Sequence, residues 1–142
     1  MIKKFLDTII LVDLIADRKP FSKHAIEIFK NAELKKAELF TSSYSIATTH
    51  YLLKKYVDEK TLRNIMLNLL ELVQVIPVNL DITKKSLLSN HKDFEDAIQI
   101  LCASSISNMN YIVTRNIKEF KTSEIELLTP DEMCLRFKLR VG

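Results

Sequence analysis

KDFEDAIQILCASSISNMNYIVT, residues 92–114, reads as a helix followed by a strand. Between Asp93 and Asn108 the apolar residues Ala97, Ile98, Leu101, Cys102, Ala103 and Ile106 cover much of a helical circumference, so this helix is expected to be the most deeply buried one. Asn108 or Asn110 is expected to end it in the left-handed conformation, which asparagine tolerates better than most residues. Tyr111–Thr114, YIVT, then reads as a compact strand.

The same alternation extends outward in both directions. Lys3–Asp7 reads as a strand running into a helical turn around Val12–Ile15, and Pro20 ends that segment. Ser22 is the expected N-cap of a helix to about Lys36, with Ala25, Ile28, Phe29 and Ala32 on one face. Leu39–Ser42 reads as a second strand, and Ser45–Tyr56 as a helix with Leu52, Leu53 and Tyr56 inward. Asp58 caps a further helix in which Leu62, Ile65, Met66, Leu69, Leu70 and Val73 keep helical spacing. Val75–Val78 is β-branched and reads as a strand, with Pro77 pointing to an edge position. Asp81 is expected to begin a short helix that ends near Asn90. Glu124–Leu128 is a further strand candidate, and Thr129-Pro130-Asp131-Glu132 has the form of a helix start. Strands alternating with helices predict a three-layer α/β/α fold around a central parallel sheet, as a single domain over residues 1–142.

Composition removes several function classes. The only glycine is Gly142, the last residue. A phosphate-cradling loop of the Walker or dinucleotide type needs internal glycines, so neither is present. Cys102 and Cys134 have no metal-ligand spacing and read as reduced, buried, apolar residues. His24, His50 and His91 lie in different segments and read as surface or core-edge residues. Asp7 and Asp13 interrupt the apolar N-terminal run, and no stretch approaches a membrane span, so a soluble cytoplasmic protein is expected. The net charge of +3 is compatible with a nucleic-acid partner.

In open parallel sheets, ligands bind outside the carboxyl ends of the strands. Asp7 and Thr8 end the first strand, Ser42 and Ser43 the second. Thr114, Arg115 and Asn116 end YIVT, with Glu119 shortly after. Asp93, Glu95 and Asp96 open the buried helix at the same rim. Carboxylates gathered there repel one another unless a cation neutralises them, and hard oxygen ligands suit Mg²⁺ or Mn²⁺. Such a site activates water for attack on a phosphodiester. Asp7 in an apolar strand is costly unless paired or metal-bound. Asp93 has the spacing of a cap. Asp13 fits either a partner of the site or a solvated helix residue, and Arg115 either a phosphate ligand or the partner of a carboxylate.

The segments DTIILVDLI (7–15), SSYSIATTHYLLKK (42–55), KDFEDAIQILCA (92–103) and YIVTRNIKEFK (111–121) together resemble the PIN domain, most closely the branch that holds the toxin nucleases of bacterial VapBC pairs. The resemblance implies a Mg²⁺- or Mn²⁺-dependent endoribonuclease. It implies catalytic roles for Asp7, Asp96, Asn116 and Glu119, with Asp7, Asp96 and Glu119 on the metal. Thr8, Thr48, Thr114 and Arg115 are then expected to meet the RNA. It also implies a small antitoxin partner and a homodimer. Three positions depart from the family pattern. Ile9 replaces the asparagine of the usual DTN, Thr48 stands where a glutamate is common, and Asn116 where an aspartate is common. Loss of two carboxylates weakens a divalent-cation site, so a non-catalytic module that binds RNA or a protein is the alternative. A receiver-type signalling domain is disfavoured, because VQVIPVN ends in Asn79 and not in an aspartate.

Overall fold

The computed structural model describes residues 1–137; residues 138–142, the end of the expected domain, lie outside the described residues. Five parallel strands, β1 (Ile2–Leu6), β2 (Ala37–Ser42), β3 (Val73–Ile76), β4 (Tyr111–Val113) and β5 (Glu126–Leu128), form one sheet in the order β3-β2-β1-β4-β5. The helices are α1 (Thr8–Ile15), α2 (Ser22–Glu33), α3 (Ser43–Leu53), α4 (Glu59–Leu69), α5 (Leu80–Leu88), α6 (Phe94–Ser104), α7 (Ile117–Phe120) and α8 (Pro130–Arg136). The chain winds outward from β1 to β3, then returns to the other side of β1 with β4. The strand order therefore reverses between β1 and β4, where a crevice opens at the carboxyl ends.

Alternating residues of each strand serve opposite faces. Leu6, Leu39, Val113 and Leu128 pack with Ile10 and Leu11 of α1, Ala25, Ile28 and Phe29 of α2, and Met133 of α8. Phe5, Phe40, Ile76 and Ile112 pack with Ile82 of α5, Ile98, Cys102 and Ala103 of α6, and Phe120 of α7. A smaller cluster of Val12, Leu53, Leu62 and Met66 joins α1, α3 and α4. The expected three layers are present, and both cysteines are free and buried.

Local chemistry sets the element ends. Asp93 caps α6 by accepting from the Asp96 N–H at 3.1 Å. Thr129 and Glu132 form a reciprocal capping box with Pro130 at the first turn of α8. Asn108 takes φ 63°, as its place after the buried helix suggests. Asp17 and Lys35 also adopt left-handed backbone, at φ 50° and 57°.

Several boundaries differ from the sequence reading. Val73 opens β3 instead of closing α4, because it pairs with Leu39 and its side chain is buried by the sheet. A run of Leu69, Leu70 and Val73 satisfies either period, and strand pairing decides. β3 is an edge strand, as Pro77 implies. Ser22 lies inside α2, with Phe21 at the cap position and no side-chain cap bond. Asn79 caps α5 and Asp81 pairs with Lys85 at 2.9 Å. Leu53 points inward, but Leu52 is 44% and Tyr56 82% exposed.

Asp13, on α1, is fully buried and holds Arg115, just beyond β4, through two bonds: Nε to Oδ2 at 2.8 Å and Nη2 to Oδ1 at 3.1 Å. This pair ties α1 to the strand end beside the crevice. Breaking a buried pair by removing one partner is costly. Asp13→Ala is expected to lower unfolding stability by about 3 kcal/mol in urea titrations; an unchanged midpoint would show that the pair contributes nothing.

Candidate active site

Asp7 leaves β1 at the reversal point. Its backbone N–H donates to the Val113 carbonyl at 3.0 Å, so β4 fixes the turn into α1. The carboxylate then caps α1, with Oδ1 accepting from the Thr8 N–H at 2.7 Å. The Thr114 hydroxyl donates to Oδ2 at 2.8 Å. Thr114 is fully buried, so it supports Asp7 from beneath and has no face turned to a ligand. Its oxygen also accepts from the Asn116 N–H at 3.0 Å, which sets the entry to α7.

Behind Asp7 lies a network that the sequence reading missed. The Gln99 side-chain nitrogen stands 2.6 Å from Ser45 Oγ, 3.3 Å from Thr8 Oγ1 and 3.5 Å from Asp7 Oδ1. Ser42 donates to the Gln99 carbonyl oxygen, and Thr8 and Ser45 hydroxyls meet at 2.8 Å. Gln99 is 2% exposed and joins α6 to β2, α1 and α3 at once. Its signal in the sequence was a single amide in the middle of an otherwise apolar stretch, Ala97–Ala103, where an unpaired polar group would be costly.

Asp96, from the first turn of α6, and the exposed Asn116 and Glu119, from the start of α7, face this carboxylate across a cleft of about 200 Å³. Thr8, Ile9, Tyr44, Thr48 and Glu95 complete its walls. The expected residues Asp7, Thr8, Thr48, Asp96, Asn116 and Glu119 are thus brought together. Arg115 stands at one side, bordering a wider adjoining hollow of about 900 Å³ with Lys92, Lys118 and Lys121. Its guanidinium is held by Asp13, the second of the two readings the sequence left open. Asp13 itself is a buried ion-pair partner, not a solvated residue. His50 pairs with Glu59 and His91 with Thr122, away from the cleft.

Electrostatics in the cleft are one-sided. Burial pushes the Asp7 carboxyl up, against the lowering effect of its bonds to Thr114, Thr8 and Gln99, and the charge of Glu119 pushes it further up. Asp96 is pushed up to about 6, first by burial, then by the charges of Asp93, Glu119, Asp7 and Glu95. Among the described residues, neither Asp7 nor Asp96 has a basic side chain within ion-pair distance. Crowded carboxylates without a counter-charge fit a hard divalent cation in donor chemistry. As the side chains lie, however, no three His, Cys, Asp or Glu residues among those described stand close enough together to ligate one ion.

Comparison with known proteins gives the family and the fold. The sequence matches the PIN domain family over residues 3–118, from β1 through the start of α7. It is 29% identical over 140 residues to ribonuclease VapC1 of Aquifex aeolicus (strain VF5), covering 95% of each chain. The fold superposes on a toxin–antitoxin complex from Klebsiella pneumoniae with a TM-score of 0.65 and 24% identity, covering 89% of this chain and 97% of the other. It also superposes on VapBC2 of Rickettsia felis, solved with a promoter DNA fragment, with a TM-score of 0.61 and 22% identity over 90% and 98% of the two chains. At those identities the structural likeness speaks for the fold, and the sequence match places the chain: it belongs to the PIN domain family.

Proposed function

We propose that this chain is a Mg²⁺- or Mn²⁺-dependent endoribonuclease, the toxin of a bacterial toxin–antitoxin pair. One observation carries the reading: Asp7 and Asp96 converge on one cleft at the sheet's reversal point, with no cationic side chain among the described residues paired to either. Asp7, Asp96 and Glu119 would hold the cation. When bound, it would supply charge neutralisation and an activated water for attack on a phosphodiester. The rest falls to the chain itself. Thr114, Gln99 and the Thr8 N–H hold the Asp7 oxygens in place before any ligand arrives. Asn116 and Thr48 offer neutral polar contacts to the RNA, and Lys92, Lys118 and Lys121 border the adjoining hollow where a phosphate backbone would lie. The toxin assignment draws on the VapC1 likeness and on the solved neighbours, which are toxin–antitoxin complexes; a small antitoxin and a second copy of the chain are the partners this implies. No described helix is long and apolar enough to cross a membrane.

The second reading is a PIN module that binds without cutting. It draws on Thr48 and Asn116 standing where acids are common and on the lack of three converging acids among the described residues. Calorimetric titration with Mn²⁺ separates the two. The ribonuclease reading expects binding in the wild type. It also expects RNA cleavage lost on chelation and lowered roughly 100-fold or more in Asp96→Asn and Asp7→Asn, beyond the roughly 10–100-fold typical of changes that only support a metal ligand. Wild-type protein that binds no Mn²⁺ at millimolar concentration would favour the non-catalytic module.

The raised acid also predicts a pH dependence. A carboxyl whose folded pKa lies above its unfolded value stabilises the fold at low pH and loses that contribution as pH rises through the folded value. For Asp96 the window runs from 3.8 to about 6. In metal-free thermal melts, Asp96→Asn is therefore expected to be close to neutral at acid pH and to stabilise the protein at neutral pH. A variant that destabilises equally across the range would show that Asp96 is not held under electrostatic strain. Mn²⁺ binding by the wild type should weaken as pH falls below about 6, where protons compete for Asp96.

A further inference from the structure

Across Arg115 from the wide hollow lies a further one of about 360 Å³, walled by Phe21, His24, Arg115, Thr129, Pro130 and Asp131. This volume is at the low end of small-molecule clefts, a size for one base and its sugar. Arg115 borders both this hollow and the wide one that contains Asp96, Asn116 and Glu119. Its guanidinium is fixed on two sides. Asp13 grips it from within at 2.8 and 3.1 Å, and the Phe21 ring lies against it with the guanidinium carbon 3.7 Å from the ring centroid. Arg18 also approaches Asp13, at 3.8 Å, so two guanidinium groups share one buried carboxylate. Phe21 itself is 36% exposed. A large aromatic ring left in solvent against an immobilised arginine has the form of a stacking platform for an unpaired base.

We infer that the Phe21–Arg115 hollow is a base subsite, which takes the unpaired nucleobase next to the phosphate held at the acidic cleft. The inference rests on the ribonuclease reading of that cleft. A strand leaving the cleft follows the wide hollow, where Lys92, Lys118 and Lys121 meet its backbone, to the shared wall at Arg115. The following base then stacks in the hollow, where the Asp131 carboxylate accepts a hydrogen bond from an amino edge. A single anchored base would give the enzyme a sequence preference on one side of the cut.

The test measures binding and cutting separately. Fluorescence anisotropy with short labelled single-stranded homopolymers of each base, in chelator, reads binding without metal or cleavage. Phe21→Leu, which keeps bulk but removes the aromatic face, is expected to weaken binding roughly tenfold, within the range for loss of one base–aromatic stack. Phe21→Tyr is expected to bind as the wild type does. Mn²⁺ affinity should be the same in all three proteins, and the base preference at the cut should flatten in Phe21→Leu. His24→Ala, a change one helical turn along the same wall, supplies a second variant should Phe21→Leu fold poorly, with the same weakening expected. Equal affinity of wild type, Phe21→Leu and His24→Ala for every homopolymer overturns the subsite, even with cleavage intact. Binding that depends on Phe21, in a protein that cuts no RNA with Mn²⁺, upholds the subsite and overturns only the ribonuclease reading.

Discussion

The burial of the Asp7 carboxylate is the constraint on which the site depends. A buried acid without a counter-charge is expensive, and here it is 8% exposed at the sheet's point of reversal. The protein offsets part of that cost with three donors, the Thr114 hydroxyl, the Thr8 N–H and the Gln99 amide. Each comes from a different element: β4's end, α1 and α6. The price of keeping Asp7 charged is thus distributed over the whole crevice, and the donors that lower its cost also fix its direction. These donors are neutral, so they orient the carboxyl without supplying a counter-charge. Under the proposed function, the arrangement would keep a fixed carboxyl available to an incoming cation.

Arg115 makes the same point from the other side. It follows Thr114 at the end of β4, yet its guanidinium pairs with Asp13 of α1. A fully buried aspartate and a stacked phenylalanine hold it there. The pair keeps positive charge out of the cleft and stations it at the border. A free arginine at this position would be drawn to Asp7 and Asp96 and would neutralise the crevice.

Residues whose positions follow from chain direction were legible in the sequence. Asp7 and Asp96 mark a strand end and a helix start, and a parallel sheet brings such ends to one rim whatever the exact packing. Residues whose roles depend on tertiary distance were not. Gln99 reads as one polar position on a buried helix, and nothing local says that it reaches Ser42, Ser45, Thr8 and Asp7 together. Thr114 was placed correctly but expected to meet RNA; whether a threonine at a strand end points up to the rim or down to a carboxylate is decided by the neighbouring strand. Leu52 and Tyr56 misled because helical spacing identifies an apolar stripe without saying whether another element covers it. The left-handed positions divide the same way: Asn108 follows from its residue type, whereas Lys35 holds φ 57° only because the turn from α2 into β2 requires it.

The shortage of glycine bears directly on how such a site can handle RNA. With Gly142 the only glycine, no loop lets backbone amides crowd round a phosphate. Phosphate charge must be met by side chains, and the lysines at positions 92, 118 and 121 border the hollow, while the acids occupy the cleft beside it. An acidic centre with a basic rim attracts an RNA backbone and repels the phosphate that must enter the middle. A cation at the centre removes that repulsion, so cation and RNA would each favour the other's binding. By linkage the coupling is reciprocal. Under the proposed function, placing the acids without counter-ions and the bases at the margin would have a use beyond metal affinity: it would strengthen RNA seating once the centre is neutralised.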